Sequence, residues 1–272
     1  MRRTFAQVIN AGKIDIKNEY SKFYELFYGK DSRDSRSIAD MVDDNFINYH
    51  FRGTCLSLDE FNKVYDFNFQ RQPQNFDEEY LVSFMEYIYN FIIGLNDNLY
   101  FYDINKSFYL NQLQCVADKI GYIAIYKEGI TSYVQRDCNA ISVAESEYIP
   151  ENISYKVLAY GHRSMKGDIE AKKEVLVKLA NILEGKRKKL EGIDNKFSSD
   201  LFHLINSCNI RHNNIEESSG KYRKYIADMD VNVLEKTYDE IYQMCLLAFM
   251  RLEHMDRKVW LAETKKNIDN IK

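Results

Sequence analysis

From Val231 onward an apolar side chain returns at Leu234, Tyr238, Ile241, Cys245, Ala248, Leu252 and Met255, a 3-4-3-4-3-4-3 spacing without a break. Strand side chains alternate with a period of two, so this pattern admits only a helix. A helix with one apolar stripe must lay that stripe against other helices, in a packed bundle or a coiled-coil contact. Tyr242, Leu246 and Phe249 widen the stripe beyond a two-helix seam, which favours the bundle.

Most of the remaining chain follows the same period. Lys17–Tyr28 carries Tyr20, Phe23, Tyr24 and Phe27 on one helical face, and Ile38, Met41, Val42 and Phe46 suggest a second helix. Ser57-Leu58-Asp59-Glu60 has the form of a capping box opening a helix through Tyr65. Beyond Pro73, Glu78–Leu95 repeats Leu81, Phe84, Met85, Ile88, Ile92 and Leu95 at helical spacing, and a further helix is expected at Ser107–Ile120. The texture then changes. Tyr122–Tyr126 is apolar and β-rich, Glu128-Gly129 is a turn, and Ile130–Arg136 alternates, which together predict a β-hairpin. Ala140–Tyr148 is expected to be a short helix, and Pro150 fits the first turn of the next. Lys166–Leu190 predicts one helix with Ile169, Leu176, Leu179, Ala180 and Leu183 inward, followed by a helix at Ser198–Asn209 and a polar loop at Asn213–Gly220. The expected fold is mainly α, a helical bundle with a small β-hairpin insertion. Its expected regions are an N-terminal helical part at 1–105, a helix plus hairpin at 106–149, and a C-terminal helical bundle at 150–272.

Composition excludes whole classes. With 21 Tyr and 16 Phe but 2 Pro and 11 Gly in 272 residues, the chain is neither disordered nor collagen-like. The opening residues have no apolar run of signal-peptide length, and no apolar stretch is long enough to span a bilayer. Cys55, Cys115, Cys138, Cys208 and Cys245 have no paired zinc-ligand spacing, so they are expected to be mostly buried thiols in a reducing cytoplasm, with no metal or cofactor. Charge is uneven: residues 1–150 hold 15 Lys+Arg against 22 Asp+Glu (−7), residues 151–272 hold 22 against 19 (+3). A polyanion is expected to prefer the C-terminal half.

Dinucleotide, phosphate-loop, serine-hydrolase and zinc-protease templates are absent from the sequence. Asp168-Ile169-Glu170-Ala171-Lys172 has the carboxylate-then-lysine order of metal nucleases, but it opens a helix, where acidic residues answer the dipole. The unusual segment is Asn206-Ser207-Cys208-Asn209-Ile210-Arg211-His212-Asn213-Asn214. Its asparagines favour a helix terminus and the left-handed conformation. Arg211 can hold a phosphate through two parallel hydrogen bonds, and His212 can transfer a proton. In the structural alternative, Arg211 pairs with Glu235 or Asp239 on the final helix and the turn is a latch. Lys186-Arg187-Lys188-Lys189, the one dense basic run, either binds phosphates or closes the C-terminal turn of its helix. The N-terminal aromatics, including Tyr100-Phe101-Tyr102, are expected in the core rather than stacked on bases.

Leu201–Asn214, with Gly167–Glu170 through Leu179–Glu184 before it and Tyr238–Met244 after it, resembles a widespread bacterial family and abortive-infection proteins with HEPN-type helical domains. The resemblance covers the C-terminal half. It implies a bundle that often dimerises and a metal-independent ribonuclease in which an Arg and a His act on RNA. Arg211 corresponds to the motif Arg and His212 to the polar position directly after it. The family's usual His lies four to six residues past the Arg, where this chain has Ile215, Glu216 and Glu217. His203, eight residues before Arg211, is the other candidate for proton transfer.

The expected function is accordingly RNA binding, or metal-independent RNA cleavage, in bacterial stress or phage defence. Arg211 with His212 or His203 would act on the RNA. Asn209, Asn213 and Asn214 would orient the groups, and Lys186, Arg187, Lys188 and Lys189 would raise RNA affinity. The expected partners are RNA, a second copy through the 231–255 seam, and a companion defence protein, with no membrane. The contrary expectation is a noncatalytic protein-interaction module with a structural Arg-His-Asn-Asn turn. A nucleotide-sensing domain is the third reading.

Overall fold

A computed structural model describes residues 14–30, 36–96, 100–101 and 104–270. The protein is mainly α, with twelve α-helices among the described residues, one β-hairpin of two six-residue strands, and a pair of two-residue strands, β1 (Tyr100–Phe101) with β2 (Ile104–Asn105). Contacts divide the chain after Gln135 into two units. The side chains of Tyr100-Phe101-Tyr102 and the opening residues of the chain lie outside the described residues.

The N-terminal unit is built from α1 (Ile16–Tyr28), α2 (Ile38–Asp44), α3 (Leu58–Val64), α4 (Glu78–Ile93) and α5 (Lys106–Ile120). Each begins at a side-chain cap: Asp15, Ser37, Ser57, Asp77 and Asn105 accept from first-turn amides. At Ser57 only half of the expected box forms, because Glu60 accepts from the Leu56 amide rather than from that of Ser57. The core is aromatic. Tyr20 on α1 packs its ring against Phe76, Tyr80 and Phe84, and its hydroxyl donates to the Gln70 carbonyl at 2.6 Å. Tyr20 and Phe84 are buried, as their helical spacing predicts, and Phe76 and Tyr80 are partly buried against them.

The hairpin pairs β3 (Tyr122–Lys127) with β4 (Ile130–Gln135) across Glu128 and Gly129, both at positive φ (51° and 82°), the two-residue turn that matches strand twist. It belongs to the N-terminal unit. Asn90 of α4 exchanges two 2.8 Å hydrogen bonds with the Thr131 backbone, and Glu86 accepts from the Tyr133 amide. The expected segment at 106–149 therefore divides after Gln135, because polar side chains of α4 stitch β4 to the first unit.

The C-terminal unit contains α6 (Cys138–Ala144), α7 (Glu151–Ala159), α8 (Ile169–Glu184), α9 (Arg187–Ile193), α10 (Asn195–Ser207), α11 (Lys224–Ala227) and α12 (Val231–Asn270). Pro150 stands at the N-cap of α7, one residue ahead of the expected first turn. The helix expected over Lys166–Leu190 breaks at Gly185-Lys186, and Leu190 of α9 turns back into the core. The basic run thus opens a helix instead of closing one, so it lacks the dipole complement expected of it.

In α12, Tyr238, Ile241, Cys245, Ala248 and Leu252 are all buried within the unit's own core. At roughly 1.5–3 kcal/mol for each large side chain, that burial accounts for the regular seam. The middle of the seam is spent inside the unit, while Val231, Val233 and Leu247 remain exposed along 231–255. Beyond Asp256 the helix runs on to Asn270 with Val259, Trp260, Leu261 and Ile268 exposed. Among the described residues no helix is long and apolar enough to cross a membrane.

Candidate functional site

The turn after α10 is built by its asparagines. Asp194 caps the start of α10, whose Leu201, Phe202 and Ile205 face the core. The helix stops at Ser207 because Asn209 takes a left-handed conformation (φ 58°), which Asn tolerates better than most residues. Buried Ile210 then pins the chain. Asn209 donates its amide to Asn214 Oδ1 at 2.8 Å, and Asn214 donates its own to Asn209 Oδ1 at 3.3 Å. Asn214 Nδ2 also donates to the Lys221 carbonyl at 2.7 Å, while its carbonyl accepts from the Arg223 amide. Asn213 accepts from the Ile215 and Glu216 amides.

Asn209 and Asn214 are thereby committed to backbone groups at 5% and 1% exposure. Their amides shape the turn; they are not directed at a ligand, as expected of substrate-orienting groups. The result of the clamp is that Arg211 and His212, between the two asparagines, are exposed.

Arg211 does not reach the final helix. Its Nη1 lies 2.7 Å from Oε2 of Glu184, the last residue of α8, and both side chains are part-exposed. The carboxylates expected to hold it serve another cation. Lys172 Nζ is 2.8 Å from Glu235 and 2.7 Å from Asp239, and it sits over the Tyr160 ring. Tyr160 donates to Asp239 at 2.9 Å, and the Gly167 amide donates to Glu235 at 2.8 Å. The latch onto α12 exists, but Lys172 makes it. Burial pulls the Lys172 ammonium down, yet its hydrogen bonds to Asp239 and Glu235 outweigh that and leave its pKa raised. The Gly167 amide, and then Lys172, hold the Glu235 carboxyl below the usual glutamate range.

The nuclease-like run dissolves into structural parts. Asp168 caps α8 by accepting from the Ala171 amide at 2.9 Å, as the dipole reading requires, and Lys172 is the latch. Among the described residues no cluster of three or more His, Cys, Asp or Glu could hold a metal ion.

The basic run is largely engaged locally. Arg187 bridges to Glu191 at 2.9 Å and lies over the Phe202 ring. Lys189 bonds both Asp256 and the Tyr148 hydroxyl at 2.7 Å, and Lys186 sits over the Tyr148 ring. Lys188 is exposed. His203 is exposed on α10, one residue past the Phe202 that Arg187 covers.

No protein-family model, curated protein or solved structure matches the chain. The site is therefore read from its own geometry.

That geometry offers a part-exposed guanidinium, paired with Glu184, and an exposed histidine at consecutive positions of a turn fixed from beneath. A guanidinium suits a phosphate's paired oxygens, and an imidazole can give or take a proton. The sequence did not reveal the roles of two residues, Lys172 as the latch and Glu184 as the partner of Arg211. Lys172 occupies a slot between Ile169 and Leu176 in the apolar 3-4 stripe of α8, and a cation there signals a buried partner. Glu184 carried no such signal, because its pairing depends on where the 209–214 turn returns the chain.

Proposed function

We propose that the C-terminal unit binds RNA through the Arg211–His212 turn and that any cleavage occurs there without a metal. The role is the bacterial stress or phage defence, in the cytoplasm, that the family resemblance implies. One observation carries the reading: between the buried, mutually bonded Asn209 and Asn214, the consecutive Arg211 and His212 are exposed. In this reading Arg211 holds a phosphate and His212 assists proton transfer as the RNA's own 2′-hydroxyl attacks it. Purified protein incubated with RNA is expected to cleave it in EDTA, leave 2′,3′-cyclic phosphate ends and spare DNA. Chelator-sensitive cleavage, or equal action on DNA, overturns the chemistry.

A second reading rests on α12. Its last turns expose Val259, Trp260, Leu261 and Ile268, the surface of an interaction module awaiting a companion protein or a second copy. Trp260 is the chain's only tryptophan, so covering this face would shift its emission to the blue. Emission unchanged from nanomolar to high micromolar protein would remove self-association from that reading.

A further inference from the structure

We propose that Glu184 is a built-in competitor for the phosphate position at Arg211, so that RNA must displace a carboxylate to bind. The inference rests on the RNA-binding reading of the same turn and adds its regulation. A carboxylate presents two oxygens to a guanidinium much as a phosphate does, and Glu184 Oε2 already sits 2.7 Å from Arg211 Nη1. Glu184 has reason to be there. It ends α8, where the helix dipole is negative and an acidic side chain is disfavoured unless a cation answers it.

The contact is also made to be broken. The two side chains are 29% and 38% exposed, so water can solvate both when they part. The backbone around them is held: the asparagine clamp fixes the turn, and Lys172 pins the first turns of α8 to Glu235 and Asp239. Release is then a rotation of the Glu184 side chain, with no shift of helix or turn. A lone weak anion competes poorly with a tethered carboxylate, whereas RNA brings many phosphates at once. The pair therefore biases the site toward polyanions.

The test uses the full chain and a fluorescein-labelled 20-nucleotide single-stranded RNA, read by anisotropy. Glu184→Gln keeps the side chain's size and removes its charge. It is expected to tighten RNA binding about two- to fivefold, the range for a part-exposed ion pair. The gain should vanish when Arg211→Ala is added, because the competitor then has nothing to cover. Glu184→Ala should tighten binding likewise, which guards against a fault peculiar to glutamine. If Arg211→Ala weakens binding but Glu184→Gln leaves it unchanged or weaker, the competitor role is overturned while RNA binding at the turn stands. If Arg211→Ala changes nothing, or neither the wild type nor Glu184→Gln binds, both readings fall. Binding seen only in Glu184→Gln supports the competitor most strongly.

Discussion

Asn209 and Asn214 hydrogen-bond each other's backbone, each side-chain oxygen accepting the other's amide, at 2.8 and 3.3 Å. Both are buried, and between them they close a six-residue turn whose outer members are Arg211 and His212. The exposed pair is held by a buried pair.

Removing half of that clamp should be costly. Asn214→Ala loses the acceptor for Asn209 and the donor to Lys221, leaving the buried Asn209 amide unpaired. The expected loss is about 2–3 kcal/mol, read as a lower urea midpoint. RNA affinity should fall with it even where the protein remains folded. Full stability in Asn214→Ala would mean that the turn is held by other means.

Lys172 and Arg211 should behave oppositely on truncation. Lys172→Ala strands Glu235 and Asp239 beside a packed helix and is expected to cost about 3 kcal/mol, the low end for a broken buried pair because Asp239 is near half exposed. Arg211→Ala breaks a part-exposed pair and should cost at most about 1 kcal/mol. Thermal melts of the two variants decide it, and the reverse order would restore Arg211 as the latch.

The latch also sets a pH window. Glu235 has a depressed pKa, so its stabilisation is present above the ordinary glutamate value near ~4.3 and is lost as pH falls through its folded value. Lys172 is raised, so its share is complete below the ordinary lysine value near ~10.4 and is lost as pH rises through its folded value. Urea midpoints should therefore be flat around neutrality and drop on the acid side. The acid drop should be shallower in Lys172→Met, where the Gly167 bond and the charge of Lys166 still favour the charged carboxylate. Parallel profiles for wild type and Lys172→Met would contradict the assignment.

In the N-terminal unit, Gly129 closes the hairpin at φ 82°, and a Cβ there would come within 2.4 Å of the His50 ring. His50 Nε2 donates to the Glu128 carbonyl at 3.1 Å. Gly129→Ala is expected to cost at least ~1–2 kcal/mol from the left-handed backbone alone. A calorimetric melt unchanged by this substitution would place the turn in another conformation.

Most of this architecture was legible because it is periodic. The α12 seam, the α4 stripe and the Glu128-Gly129 hairpin each announce themselves within one window of sequence. The break at Gly185-Lys186 was not visible, since a glycine near a helix end and a following basic run also suit a helix that continues. The segment 206–214 stood out by composition, and the structure exposes the Arg211 and His212 that its sequence singles out. Which cation meets Glu235 and Asp239 was beyond reach. Arg211 and Lys172 are both basic, and only the packing of α8 on α12 brings one of them to those carboxylates.

Contact between Arg211 and RNA is measured directly by salt dependence. Each phosphate contact to a single strand steepens the fall of log affinity with log salt by about 0.7. Binding of a labelled single-stranded RNA across a salt series should therefore show a slope about 0.7 shallower in Arg211→Ala than in wild type, with weaker affinity and a near-native melting temperature. Equal slopes and equal affinities in a folded Arg211→Ala protein would contradict the claim that this turn binds RNA.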